Sequence, residues 1–359
     1  MTVDSPANGI HKLKQLPPIM KLTSALELKH RLVTRTLRRI WTARTVAEVA
    51  MRSRRIAARE DGRAQARPRG LALGVAAGRG KGDYRLAIRV QDPEWLDSPL
   101  LEHIRREARG EVELRYTGAI HALAARRTGH WYRRRIRPLE IGISVAHKNV
   151  TAGTIGAFVR RGRSKDWFIL SNNHVLADVN AGRPGDEILQ PGPADGGRLR
   201  KEDIVARLAK FERISFSDPN LVDCAIARVV DGMEVVSGSI HGIGDLKGVR
   251  EDDVELGMVV RKLGRTTGLK KGRVTAVALD DVAVDMGTGI ASFDNQIEIE
   301  SAETRAFCRG GDSGSLIVDA DDRAAALLFA GADHGGTGNL GLTYANPIEA
   351  VIQALEVRF

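Results

Sequence analysis

Gly310-Gly311-Asp312-Ser313-Gly314 follows, in chain order, Asn172-Asn173-His174-Val175 and Val222-Asp223-Cys224-Ala225. The three islands supply an imidazole, a carboxylate and a hydroxyl, the set needed to make a serine attack an acyl carbon. A serine hydroxyl is a poor nucleophile near neutral pH because its proton must leave as it attacks. A neutral imidazole can accept that proton, and a buried carboxylate fixes the imidazole's tautomer and steadies the imidazolium. The oxygen that becomes negative needs converging backbone N–H groups, each worth about 10² to 10³ in rate. The glycines suit a tight loop with unusual dihedrals, which makes the amides of Gly311 and Ser313 the candidate oxyanion donors. Taken alone, Gly-Asp-Ser-Gly also fits a glycine-rich hairpin; its company favours the chemistry.

His174 is preferred among nine histidines for its setting. The run Asp166-Trp167-Phe168-Ile169-Leu170 reads as a strand that leads into Ser171-Asn172-Asn173-His174, so the imidazole falls on a loop carried by a rigid element. Asp223 lies in the apolar stretch Leu221-Val222-Asp223-Cys224-Ala225-Ile226-Ala227, where a buried carboxylate needs a partner and an imidazole is a suitable one. The alternative is an aspartate that opens an edge strand in solvent after the Asp218-Pro219-Asn220 turn.

The order His174, Asp223, Ser313, with 49 and then 90 residues between them, resembles that of the chymotrypsin-like serine peptidases. Within that group the chain is similar to the intracellular, trypsin-like peptidases of bacteria and plants, including the plant narrow-leaf type. The resemblance rests on Ile169 to Ala177, Ile188-Leu189-Gln190-Pro191-Gly192-Pro193, Gly264-Arg265-Thr266-Thr267-Gly268-Leu269 and Gly310 to Leu316. It covers roughly 141–350, is weaker over 70–140 and is absent before. It implies two six-stranded antiparallel β-barrels, the first carrying His174 and Asp223 and the second Ser313. It implies that Phe307, six residues before the serine, stands where trypsin has its acid, so basic specificity does not carry over. It also implies that Phe329, Ala330 and Gly331 belong to the strand on which substrate backbone pairs as an added edge strand. The serine that usually steadies the catalytic carboxylate has no clear counterpart in Leu327-Leu328-Phe329-Ala330-Gly331. His334, nearby, is a pocket-lining or loop residue.

Composition agrees with a globular, mainly β chain: 359 residues, 43% hydrophobic, with 38 glycines punctuating many short apolar runs. No run is long enough to span a bilayer, and Met1 to Leu22 lacks the apolar core of a secretion signal. The two cysteines, Cys224 and Cys308, lack the spacing of a zinc site. Members of the resembled family that are secreted usually carry several disulfides, so two isolated thiols point to a reducing compartment and a cytoplasmic location. No metal and no cofactor are expected.

Charge divides the chain. Residues 1–70 hold 16 basic and 5 acidic residues, +11, and the remainder 39 and 40, −1. No Gly or Pro interrupts the stretch between Pro18 and Gly62, and Leu26, Val33, Leu37, Ile40 and Trp41 recur at helical spacing. One long or two shorter helices are predicted, with Arg31, Arg35, Arg38, Arg52, Arg55 and Arg59 along their faces. Such a face suits solvent, an acidic protein, nucleic acid or anionic lipid. After an Arg/Gly/Pro linker at 61–70, strands are predicted at 71–77, 84–91 and 111–116, with a helix opened by Ser98-Pro99 and ended by Gly110. Gly78-Arg79-Gly80-Lys81-Gly82 reads as a hairpin turn rather than a phosphate loop. Asn346-Pro347-Ile348-Glu349 predicts an N-cap, a first-turn proline and a capping-box glutamate for a final helix.

The expected layout is therefore a basic helical segment (1–65), a small α+β module (66–140), a first barrel (141–237) and a second barrel with a C-terminal helix (238–359). The expected activity is a serine endopeptidase acting on protein or peptide substrates through an acyl-enzyme on Ser313. The alternative is an inactive or latent peptidase-fold scaffold that grips a protein or nucleic-acid partner through its basic helices; an oligomer is compatible with either. Ile141-Gly142 simply starts a strand, or else cleavage after Glu140 frees an ammonium able to pair with Asp312.

Overall fold

The computed structural model describes residues 19–38, 70–122 and 130–359. Helix α1 (Leu22–Leu32) runs on into a wider turn over Val33–Leu37, with Leu28, Leu32, Val33 and Leu37 buried on one side. Its described basic residues meet acids of the same chain: Lys29 with Asp280 at 2.7 Å, Arg31 with Glu107 at 3.2 Å and Arg38 with Asp294 at 2.8 Å. Arg52, Arg55, Arg59 and nearly all of the linker lie outside the described residues.

Strands β1 (Leu71–Ala77) and β2 (Tyr84–Val90) form an antiparallel hairpin closed by the glycine-lysine turn. In that turn the Asp83 carboxylate accepts from the Arg79 amide. Helix α2 (Pro99–Glu107) begins as its sequence dictates, the Ser98 hydroxyl accepting from Leu101 N at 3.1 Å. Then come β3 (Val112–Tyr116), parallel to β2, and the short β4 (Ile120–Ala122).

The first barrel follows β5 (Leu139–Ile141) and comprises β6 (Ser144–His147), β7 (Gly153–Thr154), β8 (Ala157–Arg161), β9 (Phe168–Ser171), β10 (Glu187–Leu189), β11 (Ile204–Phe211) and β12 (Ala225–Val229). Its hydrogen-bonded order is β8-β9-β12-β11-β10-β6-β7. Among the described residues this sheet curls without closing. Val145, Phe158, Ile169, Leu170, Val205 and Ile226 are buried on its two faces.

A connection through β13 (Val235–Ile240) and β14 (Gly244–Asp245) leads to β15 (Val259–Gly264) and β16 (Gly268–Asp280). A hairpin of β17 (Val282–Asp285) and β18 (Ile290–Phe293) precedes β19 (Gln296–Ser301), β20 (Leu316–Val318), β21 (Ala324–Ala332) and β22 (Leu342–Pro347). Here the ladder closes: β15-β16-β19-β22-β21-β20 and back to β15, all antiparallel. The chain is thus mainly β, with a chymotrypsin-like pair of barrels. Two upstream strands extend the closed one, β1 on β16 and β4 on β21.

Helix α4 (Ile348–Leu355) crosses back and buries Ile348, Val351 and Leu355 in a core shared by the first barrel with β20 and β21, and β23 (Val357–Arg358) pairs with β8. The capping motif does not act as predicted. Pro347 is the N-cap residue and no side chain caps the helix. Asn346 is instead fully buried and turned toward Asp223, because two unmade bonds inside the protein cost more than a helix end left to water. Among the described residues no helix is long and apolar enough to cross a membrane.

Candidate active site

Strand β9 delivers the imidazole, and each residue of Ser171-Asn172-Asn173-His174 is tied down. The Ser171 hydroxyl donates to Thr154 O at 2.8 Å, Asn172 Nδ2 to Asp223 O at 2.7 Å and Asn173 Nδ2 to Glu212 O at 2.6 Å. A short helix, α3 (Asn173–Leu176), then carries His174. The Asp223 carboxylate grips this residue twice: Oδ2 lies 2.5 Å from His174 Nδ1, and Oδ1 accepts from the His174 amide at 3.2 Å. A carboxylate only accepts, so the ring proton sits on Nδ1 and Nε2 presents a lone pair. Among the described residues this buried Nε2 has no hydrogen-bond partner.

Asp223 is itself fixed from the other barrel. Its amide donates to Asn346 Oδ1 at 3.0 Å, and Asn346 Nδ2 donates to Gln296 Oε1 at 2.7 Å. Leu327 to Gly331 offers no side-chain hydroxyl to the aspartate, and the second barrel's hold on Asp223 is on its backbone, through Asn346.

Ser313 stands on the second barrel just before β20, in a loop whose glycines are required by geometry. Gly311 has φ +96 and Gly314 φ +88; a Cβ on Gly314 would lie 2.0 Å from Ser171 Oγ and 2.5 Å from Thr154 O. Thr154 clamps this loop to the first barrel: its amide donates to Ser313 O at 2.8 Å and its hydroxyl to Gly311 O at 2.9 Å. Among the described residues neither the Gly311 amide nor the Ser313 amide is taken by an intramolecular acceptor. The Ser313 hydroxyl makes a 3.3 Å bond to Phe329 O, not to His174. The imidazole–aspartate half of the relay is therefore assembled, and the serine–imidazole bond is not made.

Asp312 is fully enclosed. Oδ1 accepts from the amides of Thr266 (2.8 Å) and Thr267 (3.1 Å), and Oδ2 from Thr267 Oγ1 (2.7 Å) and Arg309 N (2.9 Å), with Lys262 Nζ at 3.1 Å. This is the work of Gly264 to Leu269: it wraps the aspartate that carries the serine. Burial pulls the Lys262 ammonium below the ordinary lysine range, against the opposing charge of Asp312. Ile141 is buried within β5, and in the uncut chain the cation beside Asp312 is Lys262.

The Phe307 ring lies in the interior of the closed barrel beneath Gly272, its centroid 5.9 Å from Lys262 Nζ. The Phe329 ring packs on Phe293 with centroids 4.8 Å apart, while its carbonyl faces Ser313. Ala330 and Gly331 are paired with β4, and His334 stacks on Tyr116. Both cysteines are free buried thiols, and burial pushes Cys308 up to about 11 and Cys224 well above its ordinary value. Sequence reasoning missed Thr154, Lys262, Asn346 and the occupant of the β21 edge.

Two antiparallel barrels with an imidazole–carboxylate pair on one and a Gly-Asp-Ser-Gly loop on the other define the scaffold of a chymotrypsin-like serine peptidase. Residues 137–351 match the Nal1 C-terminal domain, and the chain belongs to that family. Solved structures similar to it include protease A of Thermobifida fusca, with 17% identity over 61% of this chain and 97% of that one and a TM-score of 0.42. A Cellulomonas bogoriensis chymotrypsin gives 20%, 62%, 97% and 0.41. Nocardiopsis protease gives 16%, 61%, 97% and 0.43. No curated protein matches the chain.

Proposed function

We propose that the chain is a serine endopeptidase in which Ser313 is the nucleophile, His174 the general base and then acid, and Asp223 the residue that orients the imidazole. The observation that carries this reading is the buried His174 Nε2, left as an acceptor by an aspartate 2.5 Å from Nδ1. This reading requires the serine hydroxyl to leave the Phe329 carbonyl for His174 Nε2. Ser313 Oγ then bonds to the carbonyl carbon of a peptide and its proton passes to Nε2. The tetrahedral oxyanion is received by the amides of Gly311 and Ser313. Collapse breaks the C–N bond, and Nε2 returns the proton to the departing amine. Water repeats the sequence on the acyl-enzyme, restoring the hydroxyl and releasing a carboxylic acid.

A fluorophosphonate probe tests this directly. Ser313 is expected to be labelled in the folded chain, and Ser313→Ala is expected to lose labelling and peptide cleavage together while keeping its circular dichroism. Complete inertness of the folded wild-type chain toward the probe would sink the reading. That outcome is the one a latent or inactive scaffold predicts, a second reading that the 3.3 Å bond from Ser313 Oγ to Phe329 O favours. The two free thiols favour a reducing, cytoplasmic setting for either.

A further inference from the structure

The edge of β21 beside Ser313 is not open. Strand β4 runs antiparallel along it, with Ala122 opposite Ala330, His121 opposite Gly331 and Ile120 opposite Ala332. The next residue on β21 toward the nucleophile is Phe329, whose carbonyl is 3.3 Å from Ser313 Oγ. The direction matters. A strand whose C-terminal end points at Ser313 lies where the residues preceding a scissile bond would lie in a substrate bound by edge-strand addition.

The surroundings of β4 are those of a bound peptide. Its other side is held by β17, with Ile120 opposite Val284 and His121 opposite Asp285. Ile120 is 1% exposed, in an apolar bed that includes Ile214, Val284, Phe293 and Phe329. Ile214 sits in the loop before Asp223, and Asn220 in the same loop donates its amide to Ser292 O at 2.8 Å, so the bed is walled by both barrels. The His121 ring is about half exposed. Upstream, the Thr117 amide donates to Val90 O at 2.9 Å, so the chain entering β4 is anchored at the end of β2.

We propose that Ile120–Ala122 is an internal peptide ligand of the candidate cleft, and that a protein substrate reaches Ser313 by displacing it. The displacing peptide is extended and presents a branched aliphatic side chain where Ile120 sits and a small one where Ala122 sits. This inference rests on the peptidase reading for its consequence, but its physical content, a strand that detaches from β21, is measurable without catalysis.

The experiment joins amide hydrogen exchange, fluorophosphonate labelling and peptide cleavage in the full-length chain. In the wild type, those amides of Ala330–Ala332 that face β4 rather than β22, together with the amides of Ile120–Ala122, are expected to exchange at least about tenfold faster than those of Ala326–Leu328, through local release of β4. In Ile120→Ala and His121→Pro, which weaken the burial and the ladder of β4 respectively, that exchange is expected to accelerate further. Cleavage of a quenched peptide library is expected to rise about tenfold or more as the open population grows. A synthetic hexapeptide copying residues 117–122 should slow the exchange again and compete with cleavage. Exchange of Ala330–Ala332 only together with the rest of β21, in the wild type and in either folded variant, overturns the proposal; so does labelling of Ser313 without any gain in cleavage by the variants. Absence of labelling in every chain overturns the peptidase reading instead, and the exchange and hexapeptide results still decide whether β4 detaches.

Discussion

The two barrels differ in whose residues complete them. The sheet that carries His174 and Asp223 is made of its own consecutive strands, with only β23 and α4 returning from the C-terminus. The ring that carries Ser313 is extended on the outside by β1 and β4, and it receives a buried arginine from β2: Arg89 Nε lies 2.6 Å from Glu298 Oε2, both side chains fully enclosed. One half of the site thus sits on consecutive strands and is tied to the other barrel through Asn346, while the other is extended by chain that precedes residue 123. The consequence is directional. Disturbance of residues 70–122 is expected to reach the serine side directly, and the imidazole–aspartate couple only through Asn346 and Gln296.

The largest effect expected from breaking the self-contained side is chemical. In Asp223→Asn an amide N–H can face Nδ1, which favours the wrong tautomer, and fluorophosphonate labelling should fall about 10⁴-fold with little change in circular dichroism. On the composite side, Arg89→Met strands the Glu298 carboxylate. Burial works against ionisation of Glu298, and the Arg89 charge outweighs it, holding this group below the usual glutamate range. Loss of that cation should cost about 3–5 kcal/mol in urea unfolding. Arg89→Met combined with Glu298→Met should recover much of it, and labelling should weaken in step with the loss of folded protein.

Asn346→Ala removes the bridge between the halves. Two buried bonds are lost, to Asp223 N and Gln296 Oε1, and about 1–3 kcal/mol of stability should go with them. The smallest effect belongs to the first barrel's rim. The Arg183 amide bond, and after it bonds from His147 and Lys148, holds Asp186 to about 2; Lys148, followed by a backbone bond and Arg207, holds Glu187 to about 2. On acidification the unfolded chain takes up these protons first, so stability is lost between about pH 4.5 and pH 2. Asp186→Asn with Glu187→Gln should flatten that part of the stability–pH curve by less than about 1 kcal/mol, since both groups are partly solvated.

Much of this architecture could be read from local pattern. His174 after a strand, Asp223 before one, the Ser98-Pro99 helix start and the glycine-lysine hairpin are each set by neighbours within a few residues. Polar residues whose partners are distant could not be read that way. Asn346 sits in a sound capping motif, yet a backbone amide 123 positions away claims its side chain. Thr154 is an unremarkable strand residue until the fold brings Gly311 and Ser313 to it. Lys262 follows Arg261 in β15, and nothing in that pair of cations tells which one will be buried against Asp312. Ile120-His121-Ala122 is too short to show a period, so its place on β21 follows from tertiary pairing alone.

Lys262 and Asp312 carry a consequence for how such a molecule matures. The positive charge beside Asp312 is a side chain of the same closed ring, so the shape of the loop that carries Ser313 arrives with folding. Under the peptidase reading proposed above, control then falls on admission to the cleft and not on the shaping of that loop.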